Sequence, residues 1–349
     1  MKHTVRPIKT STITDVAEEA GVSRATVSRV LSGSDAPIRP ATREKVLAVV
    51  ARLGFRPNAV ARSLSGKRTY TVGVLVSDIG NPFYADVIKG VEDAGLPEGY
   101  NLFLGNTNFD LDRGTTLIHS LIDRRVDGVI ILFARTSEEW LTTLAGHDIP
   151  VTVVDRDPAL PAMESVSIKV DFRPGIRAAV EHLVGLGHRR FGHVSGPLDL
   201  HTSLLRRDMF LEELAAHGIK SSHIQCEEGD FHIEGGKEAA RRLFAHKAWP
   251  TAIFAANDLM ALGVMGEARA RDLRVPQDLS VIGLDDIWPS AHATPPLTTV
   301  AMPRYKIGFQ AMSRLMKHLK ESNSKRKFPQ EISLPTQLVL RESTAPPRR

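Results

Sequence analysis

Two arginines five positions apart, Arg24 and Arg29, stand in a stretch otherwise made of small and hydroxyl residues, SRATVSR. A guanidinium can bond a guanine edge through two parallel N–H groups, and hydroxyls suit phosphate oxygens, so the pattern fits the reading of double-stranded DNA. Farther along, polar residues recur just beyond short β-branched runs: Asp78 with Asn81 and Phe83, Asn106, Asp155 with Arg156, Asn257 with Asp258, and Asp285. Open α/β sheets hold small ligands beyond the carboxyl ends of their strands, and these residues occupy that level. Three histidines, His182, His188 and His193, are the best metal candidates. They straddle a helix end, a glycine turn and a strand, so they share no face and no metal site is expected. With no Walker loop, GxSxG or HExxH in the chain, neither an enzyme nor a cofactor is expected.

The arginines need a scaffold, and the surrounding residues supply one. Thr12 precedes an apolar-periodic run with Asp15 three residues on, a capping-box arrangement. Val16, Ala17 and Ala20 give that helix its inner stripe, Gly21 permits a tight turn, Val22 reads as a buried plug and Ser23 caps a second helix. Val27, Val30 and Leu31 face inward there, which leaves Arg24, Ala25 and Arg29 for base edges and Ser23, Thr26 and Ser28 for the DNA backbone. A third helix is expected from Pro40 through Val46, Val49, Val50 and Leu53 to Gly54. Charge agrees with this helix-turn-helix reading: residues 1–68 carry 13 Lys and Arg against 5 Asp and Glu, and the remainder 32 against 35. A basic end on a near-neutral body suits a polyanion partner.

Beyond GKRTY the pattern changes to strand–helix alternation. TVGVLV, NLFLGN, GVIIL and VTVVD, then FGHVS, TAIFAA and SVIGL, read as buried parallel strands. Helices are expected near Phe83, Asp112, Ser137, Ser203, Ile233 and Leu259. This is too much chain for one sheet, so two doubly wound α/β lobes are expected.

These blocks resemble the LacI family of transcription regulators. TITDVAEEAGVSRATVSRVLSG is close to the family's opening signature. GYNLFLGNTN, RRVDGVIIL, HLVGLGHRRFGHVSGPLD, FAANDLMALGV, LRVPQDLSVIGLDD and TPPLTTV follow in family order, from about Thr12 to about Glu342. The resemblance implies a small all-α helix-turn-helix headpiece (1–56), a hinge helix and linker (57–69), and a two-lobed body resembling periplasmic binding proteins (70–345). Lobe 1 would comprise about 70–166 plus 302–328, and lobe 2 about 167–300 plus 329–345. AVARSL is similar to the hinge helix of the purine repressor; it implies that Asn58 contacts the DNA backbone and Leu64 wedges into the minor groove. At about two turns, that segment is too short to hold as an isolated helix. Matching positions add Thr202, Arg206 and Phe231 to Phe83, Asn106, Asp155, Asn257 and Asp285 as effector contacts. The chain departs from the family pattern at Arg39, which replaces a capping Ser, and at Met209, which replaces a Gly. Leu204 stands where the lactose repressor has a sugar-contacting Arg.

The function expected is therefore that of a regulator, by expectation a repressor. It would bind a pseudo-palindromic operator in double-stranded DNA as a homodimer, under control of a small polar effector such as a sugar or sugar acid. RESTAPPRR lacks leucine heptads, so no tetramer is expected. MKHTVRPIKTSTITD lacks a secretory apolar core, no membrane-length apolar run occurs, and the lone Cys226 fits a reducing compartment, so a cytoplasmic protein is expected. The rival reading is a solute-binding or enzymatic α/β protein with an incidental basic N-terminus; a steep salt dependence of DNA binding separates the two.

Overall fold

Thr12 opens the first helix through reciprocal bonds: its hydroxyl accepts from the Asp15 amide, and the Asp15 carboxylate accepts from the Thr12 amide. This helix, α1 (Ile13–Ala20), ends at Gly21, whose φ of 63° lies in the left-handed region that favours glycine. α2 (Arg24–Leu31) follows at once, with Ser23 Oγ accepting from the Thr26 amide at 3.1 Å. α3 (Pro40–Leu53) has its proline in the first turn, and Arg39 lends it no side-chain cap. Val16, Ala17, Ala20, Val27, Val30, Val46 and Val49 form the core of this unit. Val22, expected to be buried, is half-buried and packs at the edge of that core.

The computed structural model describes residues 11–31, 38–55, 68–133, 135–160, 166–320 and 332–348. The chain divides into two compact units, 1–69 and 70–349. The hinge-helix residues Asn58 and Leu64 lie outside the described residues.

In the larger unit, alternation of strand and helix builds two sheets. β1 (Thr71–Val76), β2 (Asn101–Asn106), β3 (Gly128–Leu132), β4 (Val151–Val154), β5 (Val166–Asp171) and β11 (Ile332–Pro335) form the first, in the order β11-β5-β4-β3-β1-β2. All its pairings are parallel. The second contains β6 (Phe191–Ser195), β7 (Ile224–Glu228), β8 (Ala252–Ala255), β9 (Ser280–Asp285), β10 (Thr298–Ala301) and β12 (Gln337–Val339), in the order β12-β10-β9-β8-β6-β7. Only β12 runs antiparallel to its neighbour among the described strands. Strands such as β1, β3 and β9 are buried almost throughout, as helices on both faces require. Those helices are α4 (Phe83–Gly95), α5 (Leu111–Asp123), α6 (Glu138–Gly146) and α12 (Arg304–Lys320) on the first lobe. The second lobe carries α7 (Arg173–Gly185), α8 (His201–Ala216), α9 (Ile233–Ala245), α10 (Asp258–Ala270) and the short α11 (Trp288–Ala291).

The lobe limits drawn from sequence need correction at two points. The first lobe does not end at 166, because β5 pairs with β4, and the tail does not enter the second lobe at 329, because β11 pairs with β5. Ile168, Val170 and Leu334 are buried in the core and keep both strands in the first sheet. The chain instead crosses between sheets after Asp171, after Ala301 and at Thr336. Thr336 ties two of these crossings together: its amide donates to the Asp171 carbonyl at 3.0 Å, and its hydroxyl accepts from the Gly175 amide at 3.2 Å. LPTQLV therefore spans two strands that lie in different sheets.

Candidate functional site

On α2 the apolar residues Val27 and Val30 are buried, while Arg24, Ala25, Ser28 and Arg29 are exposed. An α-helix with its side chains is about 10–12 Å across, which fits the roughly 12 Å width of a B-DNA major groove. Arg24 and Ser28, and likewise Ala25 and Arg29, lie one turn apart, so the two arginines head adjacent ridges of the exposed face. Ser23 and Thr26 share a hydroxyl–hydroxyl bond of 2.9 Å, which leaves one hydroxyl proton of the pair to donate outward.

The second constellation lies between the lobes. From the first lobe, Ser77, Asp78 and Asn81 come from the turn after β1, Phe83 and Tyr84 from the start of α4, Phe109 from the loop after β2 and Phe133 from the end of β3. From the second, Leu200, Thr202 and Arg206 come from α8 and its approach, with Phe231, Asn257 and Asp285 beyond β7, β8 and β9. Nearly all stand at the carboxyl ends of parallel strands, where a doubly wound sheet opens. They border about 500 Å³ of non-protein space, part of it open to solvent. The enclosed cavity itself is only about 50 Å³, well below the few hundred Å³ of a typical small-molecule site, so the cleft stands nearly closed.

Arg206 is the centre of this cleft. It is 6% exposed, its Nη1 donates to the Ala256 carbonyl at 2.8 Å, and its guanidinium lies 4.6 Å from the Phe172 ring centroid. Its Nε is buried without a hydrogen-bond partner. Asp285, 4% exposed, has its carboxyl pushed up to about 8. Burial is the main cause; the Asp258 carboxylate adds to it, and Arg206 and Arg304 oppose it. At neutral pH the carboxyl is therefore mostly protonated and leaves the arginine's charge uncompensated. Tyr84 is buried beside them, and burial pushes its phenol up to about 12 despite a bond with Ser77.

Of the effector contacts expected from sequence, Phe83, Thr202, Arg206, Phe231, Asn257 and Asp285 come together in the lining. Asn106 and Asp155 do not. The Asn106 carbonyl oxygen accepts from the Ile79 amide at 3.3 Å and braces the turn before α4; Asp155 Oδ1 accepts from the Val170 amide at 2.7 Å and ties β4 to β5. Arg156 points to its own loop, donating to the Leu160 carbonyl. Asn257 has a double role: its Oδ1 caps α10 at the Met260 amide, and its Nδ2 donates to the Phe231 carbonyl, both at 2.9 Å. Asp258 is a buried knot that accepts from Ser290, Thr299 and the Ile287 amide, with burial pushing its carboxyl up to about 6. Leu204 is not in the lining; Leu200, one turn earlier, is. Phe109 and Phe133 were missed, although Phe133 directly follows the GVIIL strand.

The histidines go separate ways. His182 bonds Thr344, His188 bonds Thr251 and Ser280, and His193 joins a cluster of three rings with Phe210 and Phe254. Burial pushes His188 and His193 down to about 4, which keeps both neutral. Among the described residues no helix is long and apolar enough to cross a membrane.

A helix-turn-helix unit joined to a two-lobed body with a polar interlobe cleft defines a class: DNA-binding regulators that respond to small molecules. Residues 12–58 match the family model "Bacterial regulatory proteins, lacI family", and residues 180–344 match "Periplasmic binding protein-like domain". Catabolite control protein A of Priestia megaterium is 37% identical over 95% of this chain and 99% of its own. The transcriptional repressor PurR of Photobacterium profundum is 36% identical over 95% of this chain and 98% of its own. The lac repressor dimer bound to operator and the anti-inducer ONPF superposes with a TM-score of 0.84 at 30% identity, covering 97% of this chain and all of that one. The regulator CelR in complex with cellobiose superposes with a TM-score of 0.71 at 32% identity, covering 95% and 99%. The chain belongs to the LacI family of bacterial regulatory proteins. It is a DNA-binding transcription regulator and not an enzyme.

Proposed function

We propose that this regulator represses transcription as a homodimer on a pseudo-palindromic operator, released or recruited by a small polar metabolite seated between its lobes. Arg24, Ala25 and Arg29 read base edges in the major groove, and Ser23, Thr26 and Ser28 hold the backbone on either side. The observation that carries this reading is the division of α2, apolar residues inward and both arginines outward. Asn58 and Leu64 enter from the sequence alone, as a backbone contact and a minor-groove wedge at the operator centre.

In the cleft, Phe83 and Phe231 supply apolar walls and Thr202, Asn257 and Asp285 polar anchors, with Arg206 holding an acidic group. The buried guanidinium with an unpartnered Nε, facing a mostly protonated Asp285, favours a ligand that carries a carboxylate or phosphate, so a sugar acid fits better than a neutral sugar. Relatives in complex with operator and with cellobiose support the general scheme and leave the ligand of this chain to its own residues.

Binding to duplex DNA selected from a random library tests the first part. Two protected half-sites about one helical turn apart, roughly 34 Å, and a steeply negative salt slope are expected. No protected bases, or affinity independent of salt, overturns the reading. A thermal-shift screen of sugars, sugar acids and phosphosugars tests the second. A ligand of the folded cleft raises the melting temperature by mass action.

A further inference from the structure

Within the cleft lining, the two lobes touch each other directly through a pair of contacts. Phe109 of the first lobe and Phe231 of the second lie with ring centroids 6.0 Å apart and planes 21° from parallel. Next to them, His232 Nε2 of the second lobe lies 3.3 Å from Asp78 Oδ2 of the first. We propose that Asp78 and Phe109, closing on Phe231 and His232, form a proton-operated clasp at the mouth of the cleft, which shuts the lobes more firmly when the imidazole carries both its protons. The proposal rests on the cleft being the ligand site, and it adds a regulation of that site.

The hydrogen-bond inventory of the ring carries the argument. His232 Nδ1 lies 2.8 Å from the Asp230 carbonyl oxygen, which can only accept. Nε2 faces the Asp78 carboxylate, which as an anion also only accepts. A neutral imidazole has one N–H and can satisfy one of these; the imidazolium has two and satisfies both. Asp78 is itself fixed, because its Oδ1 accepts from the Gly80 amide at 2.8 Å, so Oδ2 is the oxygen turned to the other lobe. The charged groups facing the ring from the elements around it are carboxylates. Asp230 on its own loop lies 3.6 Å from Nδ1, Asp78 comes from the turn after β1, and Glu234 on α9 is already paired with Lys237 at 2.6 Å.

The backbone points the same way. Phe109 and Phe231 both have positive φ, 57° and 67°, as does Asn108 at 54°, although none is glycine. Such conformations are uncommon and persist where surrounding contacts enforce them, often at functional sites. The Phe231 ring lies directly over Gly196, where a Cβ would come within 2.1 Å of it. A second interlobe ion pair, Arg135 with Asp199, contains no imidazole and serves as the control.

An imidazole changes charge between pH 5 and 8, so the clasp loosens as pH rises through that window. Hydrogen–deuterium exchange of the full chain, without DNA or effector and corrected for intrinsic rates, tests this at pH 6 and 8. Wild type should open at residues 78–81 and 229–236 about fivefold more readily at pH 8, the upper end for a partly exposed ion pair. H232Q should exchange alike at both pH values, at the wild-type pH 8 level. R135A should exchange faster at both and keep the pH ratio. An unchanged ratio in H232Q, or a flat wild type, overturns the clasp. Nitrogen-15 spectra of His232 give a second measure: D78N should move the Nε2 resonance at fixed pH, whereas an unmoved resonance overturns the pairing. Because exchange is read without DNA, failure of the clasp is distinct from failure of the regulator reading, which operator binding decides.

Discussion

Asp285→Asn should make the protein more stable as pH rises, and the size of the gain follows from the burial of this carboxyl. An ordinary Asp loses its proton near 3.9 in the unfolded chain, whereas in the fold the value is about 8. Between those values the folded state holds a proton that the unfolded state has released, so stability falls as pH rises and levels off above about 8. Each pH unit in that window lowers wild-type stability by about 1.4 kcal/mol, or about 4 kcal/mol between pH 5 and 8. The Asn variant carries a neutral amide of the same shape throughout and lacks this slope. Its advantage over wild type should therefore widen by about 4 kcal/mol across the window. Urea unfolding followed by tryptophan fluorescence is the assay, since Trp140, Trp249 and Trp288 all belong to the larger unit. Parallel pH profiles for the two proteins would refute the argument and show that the Arg206 charge offsets the burial of Asp285. A residue that weakens the fold at working pH is one whose retention needs a functional reason.

Arg29→Ala should cost about 1–3 kcal/mol on the operator and much less on random duplex, and equal losses on both would reduce Arg29 to a phosphate contact. Arg206→Ala should abolish the thermal shift given by a cleft ligand, about 2.7 kcal/mol at a hundredfold excess over Kd, while the ligand-free protein still folds; a retained shift would remove Arg206 from the site. Thr12→Ala removes the oxygen that caps α1 and should cost about 1 kcal/mol, seen as roughly fivefold faster amide exchange in that helix; unchanged exchange would mean the cap does not limit opening.

The elements that could be read from sequence were those whose burial leaves one kind of pattern. TVGVLV, GVIIL and SVIGL are continuous β-branched runs because both faces of their strands are covered, and each is a strand over the residues expected. IQCEE was not read as a strand because it forms the second sheet's edge and is mostly half-buried or exposed. VSIKVD carries Ser and Lys for the same kind of reason: Lys169 is exposed while Ile168 and Val170 are buried. In the cleft, strand-end position located the right level of the molecule but not the direction of each side chain. Asn106 and Asp155 sit at that level and turn to neighbouring amides, as short polar side chains readily do. Phe109 was hidden for a different reason. A left-handed backbone at a phenylalanine has no signature in composition or spacing, and its partner Phe231 is far away in sequence.

The three passages of chain between the lobes restrict what any ligand can do to this protein. A lobe hung on one strand could yaw, pitch and roll. One strapped by three passages, two of them stitched by Thr336 to Asp171 and Gly175, gives up part of that freedom before any ligand arrives.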